Sequence, residues 1–463
     1  MIARENKKIK RKISKISESC DKLTGRGGLP FVSRYVEHQG WLYEELSRFE
    51  SLKIHRKGSS VCSMLIQMIL NFIDGTSLSL SRFDELRKQE EYGSVIGVEQ
   101  KYLASTSSIK RLLNKCSFNR NRGFRKLFER LFIWRLKAEK PPYIILDVDT
   151  VVFDNNDAQC REGVSWTYKN VKGFQPIMIK WNGFVVSSRF RPGKVVGNHG
   201  NEVEEMLKET IDLIRRNYRK DIPVIVTFDS GFFDQKLMAF FEDDLEAGYI
   251  IGGKMYKDIA ERVMRIPEDE LGIFRKEGSG IEWYYTEFED RRGTWERSRR
   301  AIFTAARSDG DQMLIKGAGT TNIVYTNLGE MNRITEEMEK AGCGYLAETE
   351  RVIMLAHNRG DSELTHRHIK DFAGEQMPCK DFGMNEAYFN IMILSFNLHQ
   401  AFKRDCVENI IGKDTYPTTF RRKFLDFAGK IVSHAGQTVM KVSKSVKSSL
   451  QLDLIWEKTA IPI

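Results

Sequence analysis

The 463 residues are 41% hydrophobic, 11% aromatic and 29% charged, a globular composition that excludes wholesale disorder and a length that suggests two to four structural units. No uncharged apolar run reaches the roughly 18 residues of a membrane helix, and no apolar stretch follows the basic start as a secretory signal requires. The seven cysteines are scattered without a CxxC pair, which fits free thiols in a reducing cytoplasm and speaks against a disulfide scaffold or a zinc site. The net charge of +10 is unevenly spread. Residues 1–27, 108–140 and 421–448 are strongly basic, so the remainder is acidic. Basic flanks around an acidic middle suit a protein that holds a polyanion around a carboxylate centre; solvated helix faces are the plainer reading.

In chain order, residues 1–140 read as a helical, DNA-binding region. Val61–Phe72 is an apolar helical run, and Phe83–Gln89 continues after a Gly75-Thr76-Ser77 break. Ser105–Lys115 opens with capping hydroxyls and turns basic at Lys110 and Arg111, as a DNA-reading helix or a packing helix with one wet face would. After Pro141-Pro142 the texture becomes β. Tyr143–Val152 is a continuous strand-like run. Ile177–Trp181 and Phe184–Phe190 flank an Asn182-Gly183 hairpin turn. Asn201–Tyr218 is an amphipathic helix, and Val224–Phe228 and Tyr249–Gly252 are buried-type strands. This order predicts an α/β fold with a mixed sheet over 141–254. Residues 255–345 form a β-rich insertion with strands at Trp283–Phe288, Ala301–Ala306 and Asn322–Thr326. Residues 346–405 return to helix, over Glu348–Phe372 and Asn385–Arg404. Residues 406–463 are a basic helical end, in which Val439, Val442, Val446 and Leu450 make a helical stripe. That stripe suits a dimer interface or packing on the chain's own core, and the tail docks back through Leu454 and Trp456.

Three places concentrate acidic chemistry. Asp147 and Asp149 stand two apart at the end of the first strand and so share a face. Asp229 ends the strand at 224–228. Asp at a strand end is also ordinary turn chemistry. In His357–Lys370 (HNRGDSELTHRHIK), Arg359, Glu363 and Lys370 fall one and two helical turns apart. That arrangement could bind a metal and clamp phosphates, or form surface ion pairs. Carboxylates from two strands and a helix make a hard oxygen cage that suits Mg²⁺ or Mn²⁺.

These motifs resemble those of the DDE transposases of bacterial insertion sequences, in the insertion-sequence-four superfamily. Its Tyr-x2-Arg-x3-Glu-x6-Lys signature is matched by Arg359, Glu363 and Lys370, with Ala356 in the Tyr place. LDVDT matches its first Asp motif and TFDSGF its second. TGRGGLPFV, FDELR, LASTSSIKRLL, VYTNLG, FGMNEAYFNIMILSFNLHQAFKR and PTTFRRKF follow in the order of the insertion-sequence-1380 branch. The resemblance implies an RNase H-like core with a β insertion. Catalytic Asp149, Asp229 and Glu363 would hold two Mg²⁺ or Mn²⁺ ions, with Asp147 as a supporting residue or the alternative first ligand. Arg359 and Lys370 would bind phosphate. The resemblance further implies cutting and joining of inverted-repeat ends in double-stranded DNA, by a dimer in the DNA complex of a bacterial cytoplasm. An insert aromatic would stack on a flipped base; Trp295, among arginines that include Arg299, is the candidate. His366 and His368 suit phosphate contacts better than metal. A nuclease without strand transfer and an inactive descendant that only binds DNA are the alternatives.

Overall fold

A computed structural model describes residues 13, 15–53, 58–118, 122–195, 197, 201–275, 282–306, 321–357 and 360–460; the side chains of residues 117, 118, 122 and 360–362 are outside the description. Among these residues, nine strands form one sheet: β1 (Ile144–Thr150), β2 (Ile177–Trp181), β3 (Phe184–Arg189), β4 (Val224–Phe228), β5 (Gly248–Gly252), β6 (Gly272–Arg275), β7 (Glu282–Asp290), β8 (Arg299–Ala306) and β9 (Thr321–Thr326). Their order is β6-β7-β8-β9-β5-β4-β1-β2-β3. Within it, β3-β2-β1 are antiparallel neighbours, while β4 and β5 run parallel to β1. The five-strand order 3-2-1-4-5 with this polarity is the RNase H-like core. The strands of the insertion region are continuous with it, because β9 pairs with β5 through Val324 and Gly252. Asn182 and Gly183 both take positive φ, as a two-residue hairpin of primed type requires.

The helices include α1 (Val61–Asp74), α2 (Thr106–Phe118), α3 (Arg122–Glu139), α4 (Glu202–Asn217), α5 (Gly360–Ala373) and α6 (Phe382–Phe402). Helix α6 starts at Asp381, whose side chain accepts from the Met384 amide at 2.8 Å. It is buried on all sides from Ala387 to Phe402, which is why its apolar residues show no one-sided stripe. One apolar core joins it to α1, α2, α3 and the sheet. Helix α2 packs on that core through Ile109, Leu112 and Leu113 while Lys110 and Arg111 stay exposed.

Two expectations are corrected. The basic segment after residue 420 is helical only in part: short helices at Arg421–Leu425, Lys444–Ser449 and Leu452–Lys458 flank a β-hairpin, Gly429–His434 and Gln437–Lys441, to which Lys22–Thr24 adds a third strand. Ala435 and Gly436 at positive φ close the hairpin, and the alternation in KIVSH and TVMK prevails over the three-to-four spacing of the valines. Val442, Val446 and Leu450 pack on the chain's own core. The tail docks through buried Leu452 and Ile455, with the Trp456 ring against Phe31 and half its surface exposed. Part of the basic charge is internal: Arg421 donates to the carbonyls of Phe72, Ile73 and Phe372, closing the ends of α1 and α5.

His399, buried in α6, packs its ring on Phe372 at 5.3 Å and Phe420 at 4.8 Å, and neither ring nitrogen has a hydrogen-bond partner among the described residues. Burial, then the charges of Lys403 and Arg421, holds its imidazole well below the ordinary range. Below about pH 6.5 the unfolded chain takes up a proton that the folded chain refuses, so stability falls as pH drops. His399→Leu is expected to weaken this dependence. Its urea midpoint, relative to the wild type, should be higher near pH 5 than near pH 7.5; the same difference at both values would remove His399 from the acid response.

Candidate active site

Strand β1 alternates in burial: Ile144, Leu146 and Val148 face the core, while Ile145, Asp147 and Asp149 face the opposite side. Its parallel partner β4 is buried throughout, with Asp147 beside Thr227 and Val148 beside Phe228. One step further along the same register are Asp149 and Asp229. The two aspartates therefore stand at the carboxyl ends of adjacent parallel strands, where α/β sheets place their chemistry. Asp229 accepts from the Gly231 amide at 2.7 Å and so fixes the turn after β4. Asp149 accepts from the Thr150 amide at 2.7 Å. Gly252 lets β5 close on this turn, because a Cβ there would meet the Ser230 nitrogen at 2.9 Å.

Asp147 is engaged differently. Thr227 Oγ1 donates to it at 2.9 Å, and the Lys180 ammonium is 3.0 Å from its other oxygen. Lys180 lies opposite Asp147 on β2, with only 3% of its side chain exposed, and its Nζ is 3.9 Å from Asp149. The β2–β3 ladder shifts register between Ile179 and Lys180. The extra residue is Val186 on β3, because Ile179 faces Ser187 and Lys180 faces Val185. Strand β3 is held by Asn397 of α6, whose side-chain amide bonds both the N–H and the C=O of Val185.

Helix α5 reaches the same cluster through His366. Its Nε2 is 2.9 Å from Lys180 Nζ, and its Nδ1 is 3.7 Å from Asp149. Burial, and next the charge of Lys180, pushes this imidazole down to about 2, so the ring is neutral. Because an ammonium can only donate, Nε2 accepts and the ring proton sits on Nδ1, facing Asp149. This replaces the phosphate contact expected of His366. His368 is also buried, its ring 4.6 Å from that of Tyr416.

The remaining expected site residues divide. Glu363 lies one turn before His366 on α5, but its side chain is 72% exposed and 3.6 Å from Arg367. Among the described residues, no three acidic, histidine or cysteine side chains converge closely enough to hold a metal ion. Lys370 is half-buried and bonds Glu375 at 2.8 Å, which in turn accepts from the Asp154 amide. Arg359 lies outside the described residues. Trp295 is 6% exposed and packs on Tyr325 and Phe233, so its ring offers no face to a base. Arg299 is buried and forked onto Glu242 at 2.7 and 2.9 Å, and Arg300 bonds Glu287 and the Leu328 and Ala347 carbonyls. These two arginines serve the carboxylates and loops around the extended sheet.

Sequence reasoning missed Lys180 and Tyr168. A lysine inside the apolar run IMIKW was the available signal for Lys180, since a buried ammonium requires a carboxylate partner. Desolvation, then the charges of Asp149 and Asp229, holds the phenol of the half-exposed Tyr168 above its ordinary range, and no spacing pattern announces that.

A family model described as transposase DDE domain group 1 matches residues 6–458. No curated protein matches the chain. Among solved structures, it is similar to the cryo-EM structure of the piggyBac transposase synaptic complex with hairpin DNA, at 11% identity over 96% of this chain and 85% of that one, with a TM-score of 0.37. With its family model spanning nearly its whole length, the chain belongs to the transposase DDE domain group 1 family, enzymes that cut DNA and transfer the cut strand.

Proposed function

We propose that this chain is the transposase of an insertion sequence, of the branch with the Arg-x3-Glu-x6-Lys signature, and that it cuts and joins the inverted-repeat ends of its element at Asp149, Asp229 and Glu363. The observation that supports this reading is that β1 and β4 are adjacent parallel strands, with Asp149 near the carboxyl end of one and Asp229 following the other. Their oxygens fit a hard divalent ion such as Mg²⁺ or Mn²⁺. Glu363 would complete the set from α5, the helix that His366 seats against Asp149. When bound, two such ions activate a water and offset charge on the leaving oxygen. Asp147 is a supporting residue, because its charge is answered by Lys180 and Thr227.

Lys180 and His366 are positioning residues in this reading. Lys180 neutralises Asp147 and fixes the His366 tautomer. His366 turns an N–H toward Asp149 and ties α5 to the strand ends. Around the site, exposed Lys110 and Arg111 on α2 and the Arg359 and Lys370 positions would meet DNA phosphates. Two ends joined in one event require two active sites, so a dimer is proposed for the DNA complex.

Asp149→Asn, Asp229→Asn and Glu363→Gln should each lower Mg²⁺-dependent cleavage of end DNA by at least roughly 100-fold, as loss of several kcal/mol of charge stabilisation implies. Asp147→Asn should cost less. A harsher effect at Asp147 than at Asp149 would exchange their roles.

Lys180→Met leaves Asp147 as a buried, unanswered charge, with an expected loss of about 3 kcal/mol in urea unfolding. The double variant Asp147→Leu/Lys180→Met should recover most of it. If the losses of the two single changes simply add, the pair is not coupled.

Lys110→Ala/Arg111→Ala in the full chain should weaken DNA binding and reduce the slope of log affinity against log salt by about one for each phosphate contact removed. An unchanged slope would take α2 off the DNA.

A further inference from the structure

On the sheet face that carries Ile145 and Asp147 lies a cavity of about 790 Å³. It is walled by Ile145 at the start of β1, by Leu364 and His368 of α5, by Gln400 of α6 and by Arg404 just beyond that helix. Asp147 and Lys180 form the side it shares with the strand ends, while Asp149, Asp229 and Glu363 do not line it. The volume falls in the range of small-molecule sites, roughly 300–1,000 Å³.

The chemistry of the wall differs from that of a packing void, which is apolar. Five of its polar side chains are more than nine-tenths buried: Lys180, Thr227, Thr365, His368 and Gln400. Its charges answer one another. Lys180 is 3.0 Å from Asp147, and Arg404 is 3.1 Å from Glu139 and 4.7 Å from the centre of the Phe184 ring. Lys413 and Asp414, exposed chain neighbours of opposite sign, stand at the rim. A charged occupant would therefore lose its hydration without gaining a counterion. Burial, then the charge of Lys403, holds the His368 imidazole below its ordinary range, so that ring is neutral as well.

The groups left to meet an occupant are neutral hydrogen-bonding side chains set among apolar ones. Gln400 brings an amide into the wall from a helix that is otherwise largely apolar, and an amide presents a donor and an acceptor side by side. That pair matches the adjacent donor and acceptor on the edge of an aminopurine. Ile145 from the sheet, with Leu355 and Leu364 from the two helices over it, supplies apolar surface for a flat ring.

We propose that this cavity is a binding site for a small, neutral, planar heteroaromatic molecule of the aminopurine kind, free in solution, with its edge on the Gln400 amide and its ring against Ile145 and Leu364. Leu364, Thr365 and His368 belong to the helix that carries Glu363 and His366, so an occupant braces α5 against β1. The binding stands apart from the reading of Glu363 as catalytic; an effect on cleavage rests on that reading.

The test uses the full chain without divalent metal, adenine as the neutral probe and benzoate as a flat anionic one. Binding is read by calorimetry and by amide hydrogen exchange. Adenine should bind and slow exchange across residues 363–373, and benzoate should bind at least roughly 10-fold more weakly. Gln400→Leu, which nearly keeps the volume and loses the amide, should weaken adenine binding roughly 10-fold, as loss of a hydrogen bond implies. Leu364→Trp, which fills the cavity from a half-buried position, should abolish both adenine signals. Absence of adenine binding by the wild type, or equal binding by the wild type and both variants, would overturn the proposal. Benzoate binding as tightly as adenine would do the same. None of these outcomes bears on Asp149, Asp229 and Glu363, which are tested by cleavage.

Discussion

The ion pair between Lys180 and Asp147 is the constraint around which the site is arranged. An ammonium with only 3% of its side chain exposed is tolerable only with a carboxylate at contact distance. The regular antiparallel register of β1 with β2 delivers it there, and Asn397 of α6 holds the neighbouring strand β3 by bonding the Val185 backbone. The same Nζ contacts His366 and so links β1, β2 and α5 at one point. Asp149, nearer the end of its strand, lies farther from the ammonium, at 3.9 Å. Two carboxylates of the same type and the same strand face thus have different surroundings: Asp147 is in contact with Lys180 and Thr227, while Asp149 accepts from the Thr150 amide and lies 3.7 Å from His366.

Much of this was legible in the sequence where burial and period agree. Ile144–Thr150 and Val224–Phe228 are apolar runs ending in Asp, and their parallel pairing puts Asp149 beside Asp229. The Asn182-Gly183 turn fixed the β2–β3 hairpin in the same way. What could not be read were consequences of distant contacts. The valines at 439, 442 and 446 carry a helical spacing, yet Val439 lies in a strand, because two β-prone segments meet around a turn at positive φ with Lys22–Thr24 available to pair, while Val446 is in the short helix Lys444–Ser449. Trp295 among arginines looks like a nucleic-acid surface until Glu242, Tyr325 and Phe233 arrive from elsewhere in the chain to cover it. An aromatic–cation cluster has the same composition whether it meets a carboxylate inside or a phosphate outside.

Basic charge follows the same logic. The three stretches that give the chain its positive flanks are not uniform DNA surface. Arg421 closes helix ends, and Arg135 is buried against Asp405 and Glu139. Lys110 and Arg111 remain in solvent. Lys169 and Lys172 of the 165–172 hairpin lie beside the exposed rings of Tyr168 and Trp166. Net charge therefore overstates the area available to a polyanion, and position within the fold decides which cations can act.

The pairing of Lys22 with Ile431 has a consequence for how the protein is made. A ribosome delivers the first strand hundreds of residues before its partner, and α6, on which the N-terminal helices pack, also arrives late. Growing or prematurely ended chains therefore carry an unpaired strand edge and uncovered apolar helices, the surfaces that invite aggregation and proteolysis. Only a chain synthesised past Lys441 can close all three strands. The fold so couples completion of translation to completion of structure, and a truncated copy is removed from the pool by its own exposed seams.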